Sequence, residues 1–129
     1  MAHITVEKVK LIRNSLKTKF PNIKFSVRRD DYIAVNIALI SGDINFYDGS
    51  LDDEKDNYVF NGYLCINEYH LELYGKHQLL LSQILEIAKS CGWYDKSDSQ
   101  IDYFDIAYYI DISIGKWDKK YKYIPKKGV

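Results

Sequence analysis

The sequence predicts an α+β fold of two layers, a mainly antiparallel sheet with two helices on one face, in the order α-β-β-β-α-β. Two segments repeat apolar residues at helical spacing on a single stripe, so each has one face to bury. Four others alternate apolar and polar residues, the period of a strand. Two single-striped helices need one apolar sheet face to cover, and two layers supply it. The other sheet face is then left partly open and bears tyrosines.

The first helix is expected from Thr5 to Phe20, with Val9, Ile12, Leu16 and Phe20 on its stripe. Thr5 suits the N-cap, Glu7 the first turn, and Pro21 the stop, with Lys17 and Lys19 at the cation-favouring end. Lys24 to Arg29 reads as a strand with Phe25 and Val27 inward and Ser26 and Arg28 outward. Asp30-Asp31 supplies a turn. Tyr32 to Ile40 follows as a second strand, with Ile33, Val35, Ile37 and Leu39 on one face. Its other face is only mildly polar, so part of it is also open to being covered.

Ser41 to Asn57 reads as an acidic loop that lacks the ligand spacing of a calcium-binding EF-hand. Tyr58 to Tyr74 is expected to be one long extended segment. Gly75 then opens a second helix, Lys76 to Cys91, with Leu80, Ile84, Ile87, Ala88 and Cys91 buried, Leu81 at the edge, and Gly92 as the stop. The last strand runs from Ala107 to Gly115, where Tyr108, Ile110, Ile112 and Ile114 alternate with Tyr109, Asp111, Ser113 and Gly115. Asp111 is expected to pair with a basic side chain across the sheet. A basic tail from about 116 to 129 interleaves lysines with Trp117, Tyr121 and Tyr123.

The chain's 129 residues are the size of one domain, with no linker or internal repeat. No apolar run approaches the length that spans a bilayer, and MAHITVEKVK lacks a signal peptide's apolar core, so a cytoplasmic protein with no membrane partner is expected. Cys65 and Cys91 stand in no motif and read as reduced core thiols. The formal net charge is zero, which argues against a generic nucleic-acid coat. Charge is nonetheless segregated, with basic residues concentrated in residues 1–40 and acids in residues 41–72.

Chemistry is most concentrated between Trp93 and Trp117, where Asp95, Asp98, Asp102, Asp105 and Asp111 lie among aromatics. Three readings of the aspartate loop stay open. The carboxylates fix the loop by accepting backbone hydrogen bonds, they bind a partner, or they hold a metal or perform acid–base chemistry. The partner-binding candidates are Trp93, Tyr94, Asp95, Asp98, Asp102, Tyr103, Asp105 and Trp117. Trp93, Tyr103 and Trp117 are expected to be held in place beside the final strand by the loop.

No GxSxG, phosphate-binding glycine loop, HxxxH or CxxC pattern is present, so no catalytic residue, metal ligand or cofactor is assigned. His70 and His77 could meet if the second helix folds back over its preceding strand, but two imidazoles do not make a zinc site. The expected function is a non-enzymatic interaction module for a protein or nucleoprotein target. The alternative is a nucleic-acid-binding domain using Lys10, Arg13, Lys17, Arg28, Arg29, Lys119, Lys120 and Lys122. The order α-β-β-β-α is also that of double-stranded RNA-binding domains, although only Lys76 and His77 stand where those place a lysine cluster.

Two stretches carry a family resemblance. KFPNIKFSVRRDD follows the basic amphipathic helix, and GWYDKSDSQIDYFDIAYYIDISIGKWDKKYKY contains an aspartate-serine-aspartate loop and a Gly-basic-Trp-Asp close. The residues concerned in the second are Asp95, Ser97, Asp98, Ser99, Asp102, Tyr103, Phe104, Asp105, Gly115, Lys116, Trp117 and Asp118. In these the chain resembles the large polyvalent protein-associated domain family, the twenty-ninth of its series. The resemblance implies a small domain found alone or within long proteins of phages and other mobile elements. It implies no activity and no site residues.

Overall fold

The computed structural model describes residues 2–98, 100 and 105–125. The expected Asp102 and Tyr103, with Ser99, Phe104, Lys126 and Lys127, lie outside them.

Helix α1, Val6–Lys19, begins where Thr5 Oγ1 accepts the Lys8 amide at 3.2 Å, and it buries Val9, Ile12 and Leu16. Strands β1, Ile23–Asp30, and β2, Ala34–Gly42, form an antiparallel hairpin. Its turn puts both Asp31 (φ 48) and Tyr32 (φ 67) in the left-handed region, with the Ile33 amide on Asp30 O at 3.0 Å. Strand β3 is short, Leu64–Ile66. Helix α2 is Gln78–Ala88, and strands β4, Tyr109–Ile114, and β5, Lys122–Tyr123, complete the order. The α+β class with two helices and a mixed sheet is as the sequence predicts.

The sheet runs β1-β2-β4-β3, and β5 pairs with the end of β2. Its two hairpin-like pairings, β1 with β2 and β3 with β4, are antiparallel, whereas the central β2–β4 pairing is parallel. A parallel centre follows from topology, since the chain leaves β2, passes through β3 and α2, and returns as β4 in the same direction. Register puts Val27, Ile37, Ile112 and Ile66 in one row and Leu39, Ile114 and Leu64 in the next. These face the core shared with Ile12 and Leu16 of α1 and Leu81, Ile84 and Leu85 of α2.

Four expectations need correction. The segment 58–74 is not one strand. After Ile66, Asn67 turns the chain by accepting the Tyr69 amide, while Tyr74 Oη accepts the Asn67 amide, and a 3-10 helix covers Leu71–His77. Non-helical backbone at Gly75 separates that helix from α2, so α2 begins at Gln78 and its buried stripe is Leu81, Ile84, Leu85 and Ala88. Leu80, Ile87 and Cys91 are only partly buried. Cys65 is exposed, because its position in β3 points it away from the core. Finally, the tail is folded as far as it is described. Tyr121 is buried, and β5 extends β2 with the Ile124 amide on Gly42 O at 2.7 Å.

Candidate functional site on the open sheet face

The face of the sheet opposite the helices is a groove of about 550 Å³. Its floor follows from register. Ser26, Ala38, Ser113 and Cys65 are direct partners across β1, β2, β4 and β3, and all four are small. One row along, Arg28, Asn36 and Asp111 are likewise direct partners on three adjacent strands. Asp30, Tyr63, Lys116, Trp117 and Asp118 form its surround.

Asn36 Oδ1 is buried without a hydrogen-bond partner. A buried acceptor left unmade is costly, and functional surfaces are where such cost is tolerated. Partial desolvation beside it, reinforced by Asp30, pushes the Asp111 carboxyl above its ordinary range. The expected ion pair of Asp111 across the sheet does not form among the described residues. Asn36 occupies the neighbouring position, and Arg28 lies one strand beyond it.

At one end of the groove the chain makes a tight turn after β4. Lys116 and Lys119 exchange backbone hydrogen bonds at 2.8 and 3.1 Å, so Trp117 and Asp118 stand at the tip. Gly115 permits it. Its φ is +71, and a Cβ there would lie 1.9 Å from Gly62 O, an approach only glycine allows. Trp117 remains 77% exposed, the most exposed of the chain's large apolar side chains described.

The aspartate loop is elsewhere. The Lys96 and Ala107 amides bond to Asp105 O and Tyr94 O at 2.7 and 3.0 Å, tying the two ends of the loop together. Asp95 Oδ1 accepts the Ser97 amide and Asp98 Oδ1 the Gln100 amide, and the first of these bonds holds Asp95 below the usual carboxylate range. The Asp105 amide donates to Ser97 Oγ. Trp93 Nε1 donates to Tyr108 O at 2.8 Å beneath the Lys89 ammonium, and Lys96 lies over Tyr94. Trp93 and Trp117 thus flank opposite ends of β4, roughly 20 Å apart at the usual strand rise. The structure does not bring the two together.

The basic candidates are divided too. Arg13 and Lys17 join Lys24 round a second cleft of about 540 Å³, at the end of the sheet where β1 begins and Ile124 and Pro125 follow β5. Arg13 is also structural, its Nη2 donating to Val27 O at 2.7 Å. Lys10 is exposed on α1, outside the residues that line this cleft. Arg28 belongs to the open face, whereas Arg29 shares the opposite side with Val35 and stacks on Tyr32. Lys119 and Lys122 are exposed, while Lys120 lies 5.6 Å over the Tyr63 ring.

Histidines 70 and 77 make separate contacts. His70 pairs with Glu72, whereas His77 Nε2 meets Ser50 Oγ at 2.8 Å. That Ser50–His77 pair has the form of a nucleophile and base, but none of the clefts described above adjoins it. His77 packs on the Phe46 ring at 4.7 Å, so the contact anchors the acidic loop to the start of α2. Among the described residues no three His, Cys, Asp or Glu side chains cluster to hold a metal ion. No described helix is long and apolar enough to cross a membrane.

Sequence reasoning singled out Arg28 and Trp117 of this groove but missed Asn36, Ser113 and Cys65 as its members. Their signal was present in the strand period, since Asn36 and Asp111 interrupt the apolar alternation on the outward side. Only register aligns them. Residues 4–91 match the model of the large polyvalent protein associated domain 29 family, over more than half of the chain. The aspartate loop and the Gly-Lys-Trp-Asp turn lie beyond that match. No curated protein and no solved structure matches the chain. By its match over residues 4–91, the chain belongs to the large polyvalent protein associated domain 29 family.

Proposed function

We propose that the protein is a non-enzymatic interaction module that takes a protein partner on its open sheet face. The observation that carries this is Trp117, 77% exposed on a hydrogen-bonded turn at the rim of the groove. Exposed tryptophan is costly in water and is the residue most enriched among binding hot spots. A cytoplasmic setting and a phage or mobile-element origin belong to the same proposal, the second resting on the family.

The test is capture from the native host followed by mass spectrometry of proteins and nucleic acid. Wild type and Leu11→Ala, altered on the outer face of α1, should retain the same protein species, and Trp117→Ala should lose it. Equal capture by all three would sink the reading.

A second reading, direct nucleic-acid binding, is favoured by the cleft that gathers Arg13, Lys17 and Lys24. It requires a duplex probe whose retardation falls steeply with salt and disappears in the Lys17→Glu, Lys24→Glu double variant.

A further inference from the structure

The order of the row crossing the open face fixes its complement. Arg28, Asn36 and Asp111 stand side by side on adjacent strands, cation, amide and carboxylate in turn. Around the groove, Arg28 and Lys116 stand against Asp30, Asp111 and Asp118. Such a mixed surface has little net charge to draw a polyanion or a polycation. What it matches is the same row reversed.

We propose that the occupant of this face is a second copy of the chain, in an isologous dimer whose two-fold axis runs along β2 above Asn36. This rests on the reading of the open face as a binding surface. Rotation about an axis parallel to the strand exchanges the β1 and β4 sides. Arg28 of each copy then lies over Asp111 of the other, giving two equivalent ion pairs from one row. Asn36 lies on the axis between the two ion pairs, and its Oδ1, already closed off within each copy, takes no part in the contact. The small floor of Ser26, Ala38 and Ser113 leaves room for two sheets at their usual separation of about 10 Å. Trp117, at the β4 side of the rim, comes over the start of β1 of the other copy and is shielded from water.

Strand spacing and rise give this face roughly 400 Å² per copy, about half of a standard interface. The dimer is therefore reversible and concentration-dependent.

Sedimentation over a concentration series tests it, with circular dichroism confirming the fold of each variant. The wild-type mass should rise with concentration from 15.1 kDa towards twice that value. Arg28→Asp alone and Asp111→Arg alone each create two like-charge contacts and should weaken the dimer at least about tenfold. The double variant restores opposite charges across the axis and should recover most of the loss, which no other partner of fixed charge would produce. Should a swapped protein misfold, Arg28→Gln and Asp111→Asn remove the same contacts without new charge, and each should weaken the dimer. A mass that stays at the monomer value up to the solubility limit overturns the proposal, as does a dimer indifferent to these substitutions. If the chain is monomeric yet capture still depends on Trp117, the dimer falls and the open face stands as a site for another protein. If capture is also indifferent to Trp117, both fall.

Discussion

Tyrosine is the side chain through which this protein satisfies its irregular backbone. Tyr108 Oη donates to Ala88 O at 2.6 Å, Tyr121 Oη to Ile44 O at 2.8 Å and Tyr58 Oη to Tyr63 O at 3.1 Å, while Tyr47 Oη donates to Tyr121 O. Each ring fills space and each hydroxyl closes a carbonyl that short strands and loops leave over. Burial pushes the Tyr108 phenol up to about 12, so it stays a donor across the working pH range. Tyr108→Phe keeps the ring and strands Ala88 O. It should cost about 1–3 kcal/mol in urea unfolding. His77 gives a second expectation at this scale. Burial holds its pKa below the ordinary 6.5, against the opposing pull of Asp48 and with the help of Lys76. The unfolded chain therefore takes up a proton near 6.5 before the folded chain does. Stability from the neutral imidazole is complete above that pH, falls as pH drops through the window below it, and levels off below the folded pKa. Melting temperatures between about pH 7.5 and about pH 5 should decline more steeply for wild type than for His77→Gln. Equal slopes would place the titration on another group.

Among the elements, the β4 terminus and α2 make the most distinct demands. Gly115→Ala drives a methyl group into the Gly62 carbonyl, a backbone atom that cannot step aside. Gly92→Ala serves as the control, since Gly92 also has positive φ (+78) but nothing within 4 Å of the added carbon. The control should lose about 1–2 kcal/mol, the usual cost of left-handed backbone, and Gly115→Ala roughly 4 kcal/mol or more. Comparable losses would mean that strain, not collision, governs the turn that presents Trp117. For α2, Ile84 is fully buried, and Ile84→Ala should cost about 2–5 kcal/mol through lost transfer energy and a cavity. An unfolding midpoint that barely moves would show α2 to be peripheral to the core.

Across the whole molecule, the C-terminal segment closes the fold. Tyr121 packs edge-on against Phe46 at 4.8 Å, its amide bonds to Gly62 O at 2.8 Å, and its hydroxyl reaches Ile44 O. Through it the end of β2, the acidic loop, the segment before β3 and β5 are joined. A chain ending at Asp118 loses all of these and a side chain that is 2% exposed. It should lack a cooperative unfolding transition, because the remaining core opens at Phe46 and Phe60. A sharp transition within about 1 kcal/mol of wild type would show the segment to be an appendage.

Local chemistry was enough to determine the α1 cap and stripe, the β1–β2 hairpin, the alternation of β4 and the two-layer α+β class. Each rests on neighbours within a few residues, and the period of apolar side chains reports which face is buried. The aspartate loop was partly legible for the same reason, since Asp95 and Asp98 accept amides two residues on. Tertiary structure alone decided the rest. Apolar period cannot tell a strand from a run of turns when tyrosines satisfy the backbone, so residues 58–74 read as extended. It cannot give the parallel β2–β4 pairing, which depends on where α2 returns the chain. The lysine spacing of the tail hid Tyr121, whose burial depends on Phe46 and Ile44, 75 and 77 positions away. Above all, the open face is a product of register. Arg28, Asn36 and Asp111 are separated by 8 and 75 positions in sequence and become one row because hydrogen bonds between strands fix their alignment.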